Sequence, residues 1–121
     1  MMRGKVLVVD DSRTDLALMV APLRREGYDV ITASDGEEAL RMVKDEQPGC
    51  VVLDVVMPRK NGFQVCRTIK NGADSRHIPV ILLTSKSERT DELWGKRQGA
   101  DVYLTKPFDA EALLTHVRQL I

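Results

Sequence analysis

The chain has 121 residues, of which 43% are hydrophobic and 30% charged, so it fits one globular domain and is not a disordered chain. Its 18 basic and 18 acidic residues cancel, so it lacks the positive charge with which proteins bind nucleic acid or anionic membranes. There is no apolar run of membrane length and no signal-peptide pattern, and Cys50 and Cys66 lack metal-ligand spacing. We therefore expect a cytoplasmic protein with two free, buried thiols.

Five short apolar segments alternate along the chain with segments of helical spacing. Those numbered one, three and four are apolar on both faces, which is typical of central strands in a parallel sheet. Strands that alternate with helices pair in parallel through right-handed crossovers. The pattern predicts a single α/β domain over residues 1–121, with a doubly wound sheet and five helices. The predicted strands are Lys5 to Val9, Asp29 to Ala33, Cys50 to Leu53, Ile78 to Thr84 and Asp101 to Leu104.

The predicted helices have recognisable start signals. Ser12 is an expected N-cap, with Asp15 three residues later in the position of a capping-box acid. Pro22 lies inside the helical pattern that follows and predicts a kink. The fourth helix is predicted from Ser87 to Gln98, and the remaining helices follow Asp35, Asn61 and Asp109.

Three carboxylates follow the predicted central strands. Asp54 comes directly after the third strand. Burial of a lone carboxylate inside that apolar run would cost several kcal/mol. We therefore expect Asp54 at the end of the strand, where the chain leaves the core, with cations nearby. Asp10 and Asp11 follow the first strand. If the two strands are neighbours, the carboxylates converge, and their mutual repulsion favours a bound divalent cation. A ligand set of oxygens favours Mg²⁺ over Zn²⁺.

Strands four and five bring a hydroxyl and an amine to the same edge, namely Thr84 and Lys106. Carboxylates, Mg²⁺, a hydroxyl and a lysine together form a set that can bind and transfer a phosphoryl group. Each feature alone has a structural explanation: Asp10 and Asp11 as a helix start, Asp54 as a turn cap, and Lys106 before Pro107 as a turn. Only their joint occurrence favours a functional site.

The combined motif resembles the signature of the receiver domains of two-component response regulators, of which CheY is the type example. The resemblance covers Lys5 to Ile121 and implies the strand order 2-1-3-4-5. The residues that carry it are Asp10, Asp11, Asp54, Met57, Pro58, Gly62, Thr84, Ser85, Tyr103, Lys106, Pro107 and Phe108.

The resemblance implies a role for each matching residue. Asp54 would be the phosphoacceptor that attacks a phosphohistidine on a partner histidine kinase, for which a CheA-like kinase is one candidate. Asp11 and Asp54 would bind Mg²⁺ directly, Asp10 would assist through water, and the backbone carbonyl of Val56 would complete the protein ligands. Lys106 would pair with a phosphoryl oxygen, and its bond to the following proline is expected to be cis.

Two further residues are implied to carry the signal. Thr84 would move to the phosphoryl oxygen, and Tyr103 would follow into the space that it leaves, which would alter the surface of helix four, strand five and helix five. On helix four, Trp94 is interpreted first as a partly buried anchor, with a contact on the output surface as the alternative.

In this family Val56 and Lys86 occupy positions that tune the acyl-phosphate lifetime. Because valine cannot orient an attacking water, we expect slow or moderate self-hydrolysis.

The preferred hypothesis is a stand-alone, monomeric signalling protein that catalyses only its own phosphorylation and dephosphorylation and controls a protein target. The chain ends with the fifth helix, so no output domain is expected to follow, although it could also be the receiver of a larger regulator. The segments Asp91 to Gly95 and Arg97 to Ala100 are similar to receivers of chemosensory systems that drive type IV pili.

A Mg²⁺-dependent phosphohydrolase is a competing hypothesis, but it would normally have a second acid at the position of Val56. A nucleotide- or flavin-binding protein is disfavoured because no glycine-rich phosphate loop follows the first strand.

Overall fold

A computed structural model describes residues 3–121, which form five strands and five helices in strict alternation. This is the predicted α/β arrangement. The elements are β1 (Lys5–Val9), α1 (Arg13–Arg25), β2 (Asp29–Ala33), α2 (Gly36–Glu46), β3 (Cys50–Leu53), α3 (Gly62–Asn71), β4 (Val80–Thr84), α4 (Arg89–Arg97), β5 (Val102–Thr105) and α5 (Ala110–Leu120).

The strands form one parallel sheet in the order β2-β1-β3-β4-β5, which confirms the fold class and strand order. Val9 is in register with Leu53, so β1 and β3 end side by side. Thr84 is in register with Thr105 at the end of the neighbouring pair, β4 and β5. All five strands point the same way, and the residues that follow β1, β3, β4 and β5 therefore emerge at one edge of the sheet.

The core consists of two layers, because alternate side chains of a strand point to opposite faces of the sheet. Leu7 and Val9 face one layer, to which α2 and α3 contribute, and Val6 and Val8 face the other, to which α1 and α5 contribute. Every residue of β3 is fully buried. Burial of each large aliphatic side chain stabilises the fold by about 1.5–3 kcal/mol, so the sheet is a rigid base for the loops at its edge.

Most of the predicted helix starts are confirmed. Ser12 accepts a hydrogen bond from the Asp15 backbone N–H, and Asp35 and Asp109 cap α2 and α5 in the same manner. Asn61 and Gln64 form a reciprocal capping box at the start of α3. The α1 helix continues through Pro22 to Arg25.

The structure corrects the start of β4 and both bounds of α4 and of β5. β4 begins at Val80 and not at Ile78, and α4 begins at Arg89 and ends at Arg97. β5 runs from Val102 to Thr105 and not from Asp101 to Leu104. The Asp101 side chain lies just before it, where it accepts from the Val80 N–H at 2.8 Å and lies 2.9 Å from Lys70 Nζ. Asp101 therefore links the starts of two strands to α3.

Helix α4 contacts the sheet through its glycine and not through its largest side chain. Trp94 is 48% exposed and Leu93 is 56% exposed, whereas Gly95 is buried. A Cβ atom at Gly95 would lie 2.8 Å from the Tyr103 ring, so only a glycine allows this close approach. Trp94 is thus only half buried, and Gly95 makes the close contact of α4 with the sheet.

The two cysteines are free and buried, as predicted. Burial raises the pKa of both Cys50 and Cys66 to about 12, so these thiols stay protonated and unreactive at neutral pH. Within residues 3–121, every helix is too short or too polar to cross a lipid bilayer.

Candidate functional site

Three carboxylates converge where β1 and β3 end. Ligand oxygens of Asp10, Asp11 and Asp54 all lie within 4.8 Å of one another. Asp10 and Asp54 are buried, whereas Asp11 is exposed at the mouth of the cluster. The sheet fixes their backbones: the Asp54 N–H donates to the Val9 carbonyl at 3.0 Å, and the Asp10 N–H donates to the Ala33 carbonyl at 3.2 Å. The predicted convergence, and the position of Asp54 beyond the end of its strand, are both observed.

One oxygen of each buried carboxylate accepts a hydrogen bond from the backbone N–H two residues later. Asp10 Oδ1 accepts from the Ser12 N–H at 2.9 Å, and Asp54 Oδ1 accepts from the Val56 N–H at 3.2 Å. These bonds hold the second oxygen of each carboxylate toward the cluster. Burial raises the pKa of Asp10, and hydrogen bonds from Lys106 and Ser12 counteract only part of that effect.

Lys106 supplies the cation that the cluster needs. Its Nζ lies 2.7 Å from Asp10 Oδ2, 2.8 Å from Asp15 Oδ2 and 3.3 Å from Asp54 Oδ2. Burial lowers the pKa of Lys106, but the hydrogen bonds to Asp10 and Asp15 and the charge of Asp54 raise it more, so its net shift is upward and the amine is an ammonium ion. The bond from Lys106 to Pro107 is cis, as the resemblance implies.

The contact of Asp15 with Lys106 was not predicted from the sequence. The sequence predicts Asp15 as a capping-box acid, but its carboxylate binds Lys106, and only its backbone N–H takes part in the cap. The spacing of Asp15 from Ser12 indicates the helix cap and gives no signal of the contact with Lys106. Ninety-one positions separate Asp15 from Lys106, so this contact depends on the tertiary fold.

Thr84 and Tyr103 meet through the backbone of one residue. Thr84 is fully buried at the end of β4, and its Oγ1 accepts from the Lys86 N–H at 3.3 Å. The Tyr103 hydroxyl donates to the Lys86 carbonyl at 2.7 Å. Burial, with smaller effects from Asp91 and Glu92, raises the pKa of Tyr103 to about 12, so this donor keeps its proton. Thr84 and Tyr103 thus share the Lys86 backbone as a hydrogen-bonding partner in the β4–α4 loop.

Gly62 lets the α3 start lie against the residue that follows β3. Its N–H donates to the Val55 carbonyl at 2.9 Å. A Cβ atom at Gly62 would overlap the Asp54 carbonyl oxygen and would lie 2.7 Å from the Val55 Cα. The glycine is therefore required for the backbone path around Asp54.

A groove of about 760 Å³ opens beside Lys106, between α1 and the segment that follows β5. Leu18 is 59% exposed at this groove. The lining of the groove includes Asp15, Leu18, Pro22, Lys106, Pro107 and Phe108.

The donor set fits a magnesium ion. Three carboxylates within 4.8 Å of one another are hard oxygen ligands with one exposed side, which leaves room for the waters that Mg²⁺ retains. Val56 lies in the loop after β3, with its amide bound to Asp54 and its side chain 50% exposed. The role of its carbonyl as a ligand stays a prediction.

Comparison with known proteins identifies the class. The family model of the response regulator receiver domain matches residues 6–118, and the chain belongs to this family. It is 42% identical over 118 residues to Protein PilH of Pseudomonas aeruginosa, with 98% of each chain covered. It is also 42% identical over 120 residues to the alkaline phosphatase synthesis transcriptional regulatory protein PhoP of Bacillus subtilis, where 99% of this chain matches 49% of the relative.

The solved structures agree with this assignment. The structure of the chemotaxis response regulator CheY4 of Vibrio cholerae superposes with a TM-score of 0.90, at 32% identity and with full coverage of both chains. The predicted membership of the CheY-like receiver family is therefore confirmed, and the likeness to PilH is consistent with the pilus chemosensory type. Receiver domains are signalling proteins that take phosphate from histidine kinases and act on output targets, and they bind Mg²⁺ at an acidic pocket such as this one.

Proposed function

We propose that Asp54 accepts a phosphoryl group from a phosphohistidine of a histidine kinase, in a reaction that depends on Mg²⁺. The observation that carries this proposal is the set of contacts around Asp54: a buried carboxylate with Lys106 Nζ at 3.3 Å and two further carboxylates within 4.8 Å. A buried nucleophile beside an ammonium ion and a cation-binding cluster suits phosphoryl transfer, in which positioning and charge neutralisation dominate.

The transfer can be written from these residues. An oxygen of Asp54 attacks the phosphorus, the phosphorus–nitrogen bond to the donor histidine breaks, and an acyl phosphate forms on Asp54. Asp11, Asp54 and the Val56 carbonyl would bind Mg²⁺ directly, and Asp10 would bind it through water. The ion would neutralise phosphoryl oxygens. Lys106 moves its ammonium toward another of these oxygens. Water can later cleave the acyl phosphate, which resets the protein.

The signal then passes to the α4–β5–α5 surface. The phosphoryl group adds a charge of about −1.5 to −2 and three acceptors. Thr84 loses its hydrogen bond from the Lys86 N–H and donates its hydroxyl to one of these oxygens. Tyr103 then moves into the space that Thr84 leaves. The exposed Leu93 and Trp94 lie on α4 in this surface, so we assign them to the contact with the protein target.

Incubation with Mg²⁺ and acetyl phosphate, followed by intact-mass measurement, tests the proposal. We expect one phosphate per chain, and none after chelation of Mg²⁺. Rapid multiple turnover of phosphate esters would instead indicate the competing phosphohydrolase, and the absence of Mg²⁺-dependent phosphorylation would contradict the proposal.

We propose further that the chain acts as a single-domain, monomeric, cytoplasmic receiver in a chemosensory system of the type IV pilus type, downstream of a CheA-like kinase. The match to PilH along 98% of both chains supports this. The match to about half of PhoP supports the alternative, in which the receiver belongs to a longer regulator. Phosphotransfer from a panel of purified kinases distinguishes the pathways, since the cognate kinase should transfer fastest.

Leu18→Arg should slow phosphotransfer from the cognate kinase about tenfold, because an arginine at a central apolar contact of a protein interface costs about 1–2 kcal/mol. Leu18 is 59% exposed at the groove beside Lys106, where the kinase would dock. Phosphorylation by acetyl phosphate should stay unchanged. Leu93→Arg, at a leucine of similar exposure on α4, is the matched control and should transfer normally. Equal slowing by both variants would contradict docking at the groove.

Val56→Asn should shorten the acyl-phosphate lifetime several-fold, because a carboxamide at this half-exposed position can orient a water toward the phosphorus. The decay is timed after removal of excess acetyl phosphate. Val56→Ala, which adds no hydrogen-bonding group, should decay as the wild type does. Decay of the wild type within seconds would count against a slow or moderate intrinsic lifetime.

A further inference from the structure

We propose that Asp15 is a positioning residue that holds the Lys106 ammonium in a resting place, for which a phosphoryl group on Asp54 must compete. This inference rests on the proposed phosphoacceptor function. Asp15 lies in the first turn of α1, outside the cluster of Asp10, Asp11 and Asp54, and it would control how readily the phosphorylated state forms.

The contacts of Lys106 show the competition. An ammonium group has three N–H donors, and three carboxylates take them: Asp10 at 2.7 Å, Asp15 at 2.8 Å and Asp54 at 3.3 Å. The two short contacts are made to Asp10 and Asp15, and the contact with Asp54 is the longest of the three. Lys106 must therefore release a carboxylate before it can bind a phosphoryl oxygen with full strength.

Differences in burial identify the partner that Lys106 releases. The Asp10 side chain is fully buried, and the loss of its cation would leave a buried charge without compensation. The Asp15 side chain is 38% exposed, so water can replace the ammonium there at small cost. The Asp15 backbone stays fixed meanwhile, because its N–H donates to the Ser12 hydroxyl. Asp15 can thus release and rebind the Lys106 ammonium while its own backbone stays in place.

Removal of the Asp15 charge should shift Lys106 toward Asp54 and favour the phosphoryl-bound state. Asp15→Asn should tighten the binding of beryllofluoride, a phosphoryl mimic, about 3- to 10-fold at saturating Mg²⁺, as expected for loss of one competing, partly exposed ion pair. Asp15→Glu keeps the charge and should bind the mimic as the wild type does. Glu111→Gln, which removes a negative charge from the first turn of α5, controls for net charge and should have no effect.

A double-mutant cycle shows whether the effect passes through Lys106. In the Lys106→Met background, Asp15→Asn should change beryllofluoride affinity less than about 1.5-fold. Equal tightening in both backgrounds would overturn the proposal in favour of a general charge effect, and so would unchanged affinity in the single variant.

The affinity for Mg²⁺ alone gives a second readout if Lys106→Met weakens binding of the mimic beyond measurement. Without Asp15, the ammonium would lie closer to Asp10 and Asp54, whose oxygens the ion needs. Asp15→Asn should then weaken Mg²⁺ binding about 2- to 5-fold when Lys106 is present and much less in the Lys106→Met background. Equal weakening in both backgrounds would overturn the proposal. If the wild type itself fails to bind beryllofluoride, the phosphoacceptor function fails, and this inference with it.

Discussion

Asp54→Asn should abolish phosphorylation, with at least a thousandfold loss in rate from either acetyl phosphate or a kinase. A carboxamide is a far weaker nucleophile than a carboxylate, and no second carboxylate at this edge has the surroundings of Asp54. Asp10 follows a different strand and is bound to Lys106 at 2.7 Å, and Asp11 is exposed. Intact-mass measurement after incubation with Mg²⁺ and acetyl phosphate gives the result directly.

The fold should survive this substitution. Asparagine has nearly the same shape as aspartate, and its carbonyl oxygen can still accept from the Val56 N–H. Circular dichroism and thermal unfolding of the variant check this point. Asp109→Asn is a matched control, since asparagine caps a helix as well as aspartate does, and it should be phosphorylated normally. Phosphorylation of the Asp54→Asn protein at a comparable rate would show that another carboxylate is the acceptor.

Gly62→Ala should lower the free energy of unfolding by about 3 kcal/mol and disturb the site at the same time, because added atoms that meet fixed backbone cost at least as much as an overpacked core. The new methyl group would overlap the Asp54 carbonyl oxygen and lie 2.7 Å from the Val55 Cα. The loop and the start of α3 must separate, which also strains the hydrogen bond from Gly62 to Val55.

Urea denaturation measures the loss of stability, and acetyl phosphate measures the loss of function. Gly72→Ala is the control, because the atom that its Cβ would meet is the Ser75 hydroxyl oxygen, at 2.5 Å, on a side chain that can rotate away. We expect that control to lose about 1 kcal/mol or less. Equal stabilities of the two variants would contradict the steric argument.

The site illustrates how far local sequence patterns reach. The end of β3 at Leu53 was predictable because four consecutive apolar residues precede a charge that cannot be buried alone. The convergence of Asp10, Asp11 and Asp54 followed from two central strands with the same direction. The contacts of the Asp101 side chain with Val80 and Lys70 were not predictable, because these residues lie far apart in the sequence.

Asp15 and Trp94 show what local patterns leave open. Asp15 fits the capping position by its spacing from Ser12, and nothing nearby in the sequence reveals that its carboxylate meets Lys106. Trp94 belongs to an amphipathic pattern, but the space beneath α4 is taken by the Tyr103 ring, and only Gly95 fits against it. Both outcomes depend on residues of β5 and of the segment that follows it.

By itself, the sequence determined the alternation of strands and helices, the capped helix starts and the arrival of acidic, hydroxyl and amine groups at one edge of a sheet. These features follow from backbone preferences and burial, which act over a few neighbouring residues. Only the tertiary structure decided that Lys106 is shared by three carboxylates, that Lys86 links Thr84 to Tyr103, and that α4 exposes Trp94. Such contacts join residues far apart in the chain, and their distances are set by how the strands align and how closely each helix can approach the sheet.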